Sequence, residues 1–172
     1  MVVEIFVLSI LRAGPVHGYE LKRRVQRPSL TPLSNNSLYP MLRRFESDGL
    51  VTKTVEEQDG KPSRKVYAIT DAGRDRLRAL LCSLPPELAT SDEEFLVRVS
   101  FFPEIPIPAR RAILAARSAV LEAASAQVGE LLEESAKSPG REWRNLAMQR
   151  VLETTNTERE WITEIAKRAE TT

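Results

Sequence analysis

Residues 34 to 51, Ser34-Asn35-Asn36-Ser37-Leu38-Tyr39-Pro40-Met41-Leu42-Arg43-Arg44-Phe45-Glu46-Ser47-Asp48-Gly49-Leu50-Val51, constrain the fold more than any other stretch. Leu38, Leu42 and Phe45 recur at intervals of four and three, which is one face of a helix. Asn35, Asn36, Tyr39 and Arg43 fall largely on another face and are left for whatever lies outside. Gly49 suits the left-handed position that ends a helix, with Leu50 tucked beneath it. Ser34 or Asn36 serves as N-cap. Pro40 lacks an amide hydrogen, so the helix is expected either to begin late, near Asn36, or to kink.

The rest of the first half supplies neighbours for this helix. Residues 2–13 predict a first helix buried through Val3, Phe6, Val7, Ile10 and Leu11, closed by Gly14-Pro15. Residues 17–27 predict a second, short helix with Tyr19, Leu21 and Val25 inward. Its outward face carries Lys22, Arg23, Arg24 and Arg27, expected on backbone phosphates, where contacts position a protein without reading sequence. Residues 51–58 and 64–69 predict two strands with Val51, Val55, Val66 and Ile69 as their apolar set, turned at Asp59-Gly60. Lys61, Arg64 and Lys65 near that tip are candidates for the minor groove or flanking phosphates. Thr70 caps a helix over 71–82 with Leu77, Leu80 and Leu81 inward.

Helix, short helix, helix and hairpin in that order make a winged helix-turn-helix. Its third helix fits the major groove with Asn35, Asn36, Ser37 and Tyr39 at base edges and Arg43 beside them. The same spacings also fit an ordinary surface helix that buries Leu38, Leu42 and Phe45 and reads nothing.

Family-level motifs bear on that choice. Leu38-Tyr39-Pro40-x-Leu42-x-x-Phe45-Glu46-x-x-Gly49-Leu50-Val51 resembles the signature of the PadR family of transcriptional regulators. So does the upstream Ile10-Leu11-x-x-Gly14-Pro15-x-His17-Gly18-Tyr19-Glu20-Leu21, and so does Arg64-Lys65-x-Tyr67-x-Ile69-Thr70-x-x-Gly73 downstream. Phe45 stands where that family usually has leucine, a core substitution. The resemblance implies a DNA-binding regulator, most often a repressor that releases double-stranded DNA when a small aromatic ligand binds. It also implies a helical second half that pairs two copies on a palindromic operator.

Pro85-Pro86 is the clearest boundary, so residues 1–84 are expected to form the DNA-binding domain and 87–172 a helical dimerisation and effector domain. Ser91 and Glu94 form a capping box ahead of Phe95, Leu96, Val99 and Phe102. Pro108 occupies the first turn of a long alanine-rich helix to about Ala136, with Ile113, Leu114, Leu121, Val128, Leu131 and Leu132 near one stripe. The last helix, about 141–169, repeats Trp143, Ala147, Val151, Thr155, Glu158, Ile162, Ile165 and Ala169 at coiled-coil-like spacing. Two long striped helices need a partner, and a second copy is the simplest one. Leu121, Val128, Leu132, Val151, Ile162 and Ile165 are the candidates for that contact. Trp143 and Trp161 are expected first at a core or interface, and second as walls of an effector pocket.

Charge separates the halves. Residues 1–80 carry 14 Lys and Arg against 9 Asp and Glu (+5), and residues 81–172 carry 11 against 15 (−4), as a DNA-facing module joined to one turned away from phosphates would. His17 is the only histidine, expected in a structural hydrogen bond, and Cys82 the only cysteine. No zinc cluster can be assembled within one chain, and no phosphate-binding loop or nucleophile elbow occurs. Neither metal, cofactor nor enzymatic activity is expected. A single cysteine fits a reducing, cytoplasmic setting, and the run Val2–Leu11, broken by Glu4 and Ser9, reads as a core helix and neither a signal peptide nor a membrane span. The alternative from another class is a non-enzymatic scaffold in which a winged-helix dimer docks proteins.

Overall fold

The computed structural model describes residues 1–26, 35–58, 61–136 and 140–170, without the side chains of Gln26, residues 35–37, Gln58, Lys61, Pro62 and Ala136. The chain is mainly α-helical and divides into two compact units, Met1–Leu81 and Cys82–Thr172. The first is a winged helix-turn-helix. Helices α1 (Val2–Arg12), α2 (Gly18–Gln26), α3 (Asn35–Ser47) and α4 (Asp71–Leu81) surround a small sheet whose hairpin is β2 (Val51–Gln58) and β3 (Lys61–Ile69). A two-residue strand, β1 (Val16–His17), pairs antiparallel with β3 through Val16↔Tyr67 and His17↔Val66, so the sheet has three strands in the order β1-β3-β2.

The segment around α3 folds as its sequence dictates. Leu38, Leu42 and Phe45 are fully buried. The helix begins at Asn35, leaving Pro40 exposed inside it. At its end Gly49 takes φ 70°, the Leu50 amide donates to the Phe45 carbonyl (2.8 Å) and the Gly49 amide to Glu46 (3.1 Å), a Schellman motif. Thr70 then ties the next element to this turn. Its hydroxyl donates to the Gly49 carbonyl (2.6 Å) and accepts from the Gly73 amide (3.1 Å), capping α4.

Three expectations in this unit change. Tyr19 is 76% exposed and not inward, because it precedes Leu21 by two residues, about 200° around a helix, while Leu21 and Val25 share a face. On α1 the buried set is Val2, Glu4, Ile5, Val7, Leu8 and Leu11, with Val3, Phe6 and Ile10 half-buried. A helix apolar nearly all round cannot choose its face by periodicity; packing against α2, α4 and β3 chooses it. Val55 is 51% exposed, and the buried positions of the hairpin are Val51 and Tyr67. The stretch Pro28–Leu33, with Arg27, lies outside the described residues.

In the second unit α5 (Asp92–Val99) leads through a 3-10 turn (Phe102–Glu104) to α6 (Ile107–Ala136) and α7 (Glu142–Ala169). Ser91 caps α5 by accepting from the Glu94 amide (3.3 Å). Helices α6 and α7 run antiparallel, fixed by Arg110 donating to the Ala169 carbonyl (2.9 Å), by the Arg111–Glu170 pair and by Arg117 on Glu158 (2.7 Å). Leu96 is 49% exposed, while Arg98 is completely buried, donating to the Ser83 carbonyl (2.6 Å) and to Glu94 (2.7 Å). A guanidinium can occupy a core when carbonyls and a carboxylate meet its donors. Among the described residues no helix is long and apolar enough to cross a membrane.

Candidate nucleic-acid interface

Burying Leu38, Leu42 and Phe45 turns the opposite side of α3 outward. Arg43 and Arg44 are exposed there, Arg44 lying 5.6 Å over the Phe45 ring. The side chains of Asn35, Asn36 and Ser37 lie outside the described residues, although their backbone opens the helix. Glu46 anchors α3 to the wing by accepting from Lys53 Nζ of β2 (2.8 Å), a contact that holds the Lys53 ammonium above its usual range. Neither residue was a sequence candidate. The pairing joins two elements whose relative placement no local spacing reveals.

Tyr39, on the same helix, is turned toward the start of α2. It is half-buried, with its ring against Gly18: a Cβ at Gly18 would stand 3.5 Å from Tyr39 Cε1 and 3.2 Å from Tyr67 Cε2. Burial raises the Tyr67 hydroxyl above its ordinary value, with Lys53 and Arg43 pulling the other way. The absence of a side chain at Gly18 therefore lets two aromatic rings close over the start of α2.

Because β1 pairs with β3, the start of α2 is held beside the wing. Between them lies an open cleft of about 570 Å³. His17, Gly18, Tyr19 and Glu20 form one side, Ser63, Arg64 and Lys65 the other, and Tyr39 closes the end contributed by α3. Arg64 and Lys65 are exposed, and neither forms an ion pair among the described residues. The expected hydrogen bond of His17 is not made at Nδ1, which is shielded and has no partner among the described residues.

The basic face of α2 is partly neutralised. Glu20 accepts from Arg24 Nε and pairs with Arg23, both at 2.8 Å, and these bonds, Arg24 first, hold its carboxyl below the ordinary value. Lys22 is half-buried. Arg27 and the Lys61 side chain lie outside the described residues. Of the sequence candidates, the structure thus gathers Tyr39, Arg64 and Lys65 into one cleft, with Arg23 and Arg24 at its rim through Glu20.

The candidates of the second unit separate into two groups. Leu121 and Ile162 are buried, at 6% and 4% exposure. Val128, Leu132 and Ile165 are half-buried, and Val151 is 49% exposed. Trp143 is 84% exposed, whereas Trp161 packs edge-on against Phe95 with ring centroids 6.1 Å apart. The two tryptophans stand five turns apart on α7, roughly 27 Å, so they do not line one pocket of a single chain. Among the described residues no cluster of His, Cys, Asp and Glu is arranged to hold a metal ion.

The sequence profile of the transcriptional regulator PadR-like family matches residues 7–79. A transcriptional regulator of Mycobacterium tuberculosis is 36% identical over 75 residues, covering 44% of this chain and 68% of that protein. The negative transcriptional regulator PadR of Bacillus subtilis is 26% identical over 97 residues, covering 55% of this chain and 53% of its own length. The chain thus spans about half the length of that relative. The crystal structure of Bacillus subtilis PadR in complex with operator DNA aligns with a TM-score of 0.47 at 20% identity, over 98% of this chain and 99% of that one.

Proposed function

This chain belongs to the PadR-like family of transcriptional regulators, and we propose that it acts as a homodimer that binds double-stranded DNA sequence-specifically, as a ligand-responsive repressor on a palindromic operator. The observation that carries this reading is the set of exposed cations on α3 and on the wing that is tied to it. Arg43 and Arg44 on the outward face of α3, with Arg64 and Lys65 of the wing, are exposed cations on elements locked together by Lys53–Glu46. In this reading Asn35, Asn36 and Ser37 at the N-terminus of α3 meet base edges, while Arg43, Lys22, Arg23, Arg24, Arg27 and the wing meet phosphates and position the helix.

Pairing of two copies is supported by apolar surface left uncovered along the α6–α7 hairpin. Leu131 (37% exposed), Trp143 (84%), Leu146 (55%) and Val151 (49%) lie on these helices away from the α5 end. An isolated two-helix arm cannot bury such a set, and a second arm can. We place the protein in the cytoplasm, where its operator is. A small aromatic effector would bind in the helical half, with Trp161 and the uncovered Leu96 as its exposed aromatic and apolar surface.

The test is the affinity of the full chain for a duplex from its own promoter and for a random duplex across a salt series. A preference of about 10³-fold or more with a steep salt slope is expected. A dimer with no salt-dependent affinity for any duplex would overturn the reading in favour of a protein-docking scaffold.

A further inference from the structure

We propose that the groove beside Trp161, lined by Asp92, Leu96 and Glu158, receives Trp143 of a second copy of this chain, so that the tip of each α6–α7 arm latches onto the base of the other. This rests on the homodimer reading and adds to it a direction, a register and a site to which the partner contributes a side chain.

The helix itself sets the register. Trp143 and Trp161 are eighteen residues apart on α7. At about 3.6 residues per turn this is five full turns, so both side chains leave the helix in the same direction, roughly 27 Å apart. A two-fold axis across α7 at the midpoint, Leu152, sets Trp143 of each copy opposite Trp161 of the other, because in a two-fold contact residue i meets j and j meets i. Val151, 49% exposed, then lies beside the axis and meets its own counterpart.

The two surfaces match in shape and charge. The groove is open and has a volume of about 280 Å³, room for one indole ring. Phe95 holds the Trp161 ring edge-on from one side, and Leu96 is left 49% exposed. Trp143 is 84% exposed in the first turn of α7, with no apolar cover from its own chain. At the groove two carboxylates, Asp92 and Glu158, share the single guanidinium of Arg117 and keep one negative charge between them. Arg141 and Arg144 flank Trp143, are exposed, and form no ion pair among the described residues. Antiparallel arms therefore bring opposite charges together, whereas parallel arms would set the two acidic grooves against each other. A small molecule in so open a groove would stay largely in water, while small-ligand sites bury about 70–90% of their occupant. A tryptophan delivered by a helix arrives already oriented, with arginines beside it, and these are the residue types that most often anchor an interface. An aromatic effector that reaches Trp161 and Leu96 competes with Trp143 of the partner subunit.

The experiment uses the full chain as wild type, Trp143→Ala, Leu96→Arg and both substitutions together, with the dimer dissociation constant read by sedimentation equilibrium. Both side chains are exposed in the protomer, and circular dichroism checks that the variants fold. Each single variant is expected to weaken the pair about 30-fold or more, the loss of a buried tryptophan anchor. The doubly substituted chain is expected to pair no more weakly than either, since both changes break the same contact. In an equimolar mixture of the two single variants, each mixed pair retains one intact tip in one intact groove. Mixed pairs should therefore exceed their statistical share. Trp161→Phe leaves Trp143 as the only tryptophan, and its emission should be blue-shifted in the dimer and move to the red when Leu96→Arg is added. A dimer in which Trp143 emits as an exposed indole, or one that Leu96→Arg leaves as tight as before, would overturn the latch alone. A wild-type chain that stays monomeric would overturn the homodimer reading and the latch with it.

Discussion

Gly73 shows how much one missing methyl group can fix. A Cβ there would overlap the Leu50 carbonyl oxygen and stand 2.7 Å from Ile69 Cγ1. The Leu50 carbonyl is the acceptor for the Thr70 amide (3.0 Å), so it cannot move away freely. Gly73→Ala should therefore destabilise the protein by about 1–3 kcal/mol despite alanine's better helix propensity, read from the midpoint of urea unfolding. An unchanged midpoint would show that α4 does not rest on the α3 turn as described. Glu20 is the second residue whose role is local. With its carboxyl held below its ordinary 4.5 by Arg24 and Arg23, it contributes stability above that pH, lost as pH falls through the lower folded value. Glu20→Gln should flatten the acid limb of the stability–pH curve. At neutral pH it frees Arg23 and Arg24, and the salt slope of DNA binding should steepen by about 1–2. An unaltered slope would show that these arginines stay away from phosphates. Both residues sat in the motifs of the sequence, but only their roles as a contact point and a charge clamp required coordinates.

At the scale of elements, helices with a single apolar stripe were legible and those without were not. α3 and α4 folded with Leu38, Leu42, Phe45, Leu77, Leu80 and Leu81 inward as their spacing required. α1 offered apolar residues on every face, and its neighbours chose among them. α5 combined a readable cap with an unreadable face. Ser91→Ala should cost about 1 kcal/mol through the lost bond to the Glu94 amide, and thermal unfolding measures it. The burial of Arg98 in place of Leu96 had no sequence signal, since only folding brings the Ser83 carbonyl to its guanidinium. Arg117 is the same kind of residue at the junction of α5, α6 and α7. It is 3% exposed, donates to the Ala89 carbonyl (2.8 Å), pairs with Asp92 and Glu158, and lies 5.6 Å over the Phe95 ring. Desolvation lowers its pKa, but the bonds to Glu158 and Asp92 outweigh this and leave it raised. Breaking a fully buried pair costs about 3–5 kcal/mol. Asp92 is 76% exposed and can rehydrate, so Arg117→Ala should fall toward the lower end, with the second unit melting first. A loss under about 1 kcal/mol would mean the three helices are held by apolar packing alone.

For the whole molecule, the proposed pairing rests on the apolar residues left uncovered on α6 and α7. Leu146→Glu together with Val151→Glu should convert a dimer to a monomer in sedimentation, with loss of operator preference larger than loss of random-duplex affinity, because half-site spacing depends on the pair. A dimer that persists would place the contact elsewhere. The sequence by itself determined the order of elements, the winged helix-turn-helix and the stripe of α3, because these follow from local periodicity, capping and glycine stereochemistry, while its motifs carried the family resemblance. The two-residue strand β1 was beyond it, since two residues carry no period. Yet β1 holds the start of α2 beside β3, and so brings Tyr19 and Tyr39 to Ser63, Arg64 and Lys65. Which apolar residues of α6 and α7 close the protomer and which remain outside was likewise decided only by the tertiary structure, because a heptad-like stripe records that a helix has neighbours and not which neighbour takes each residue.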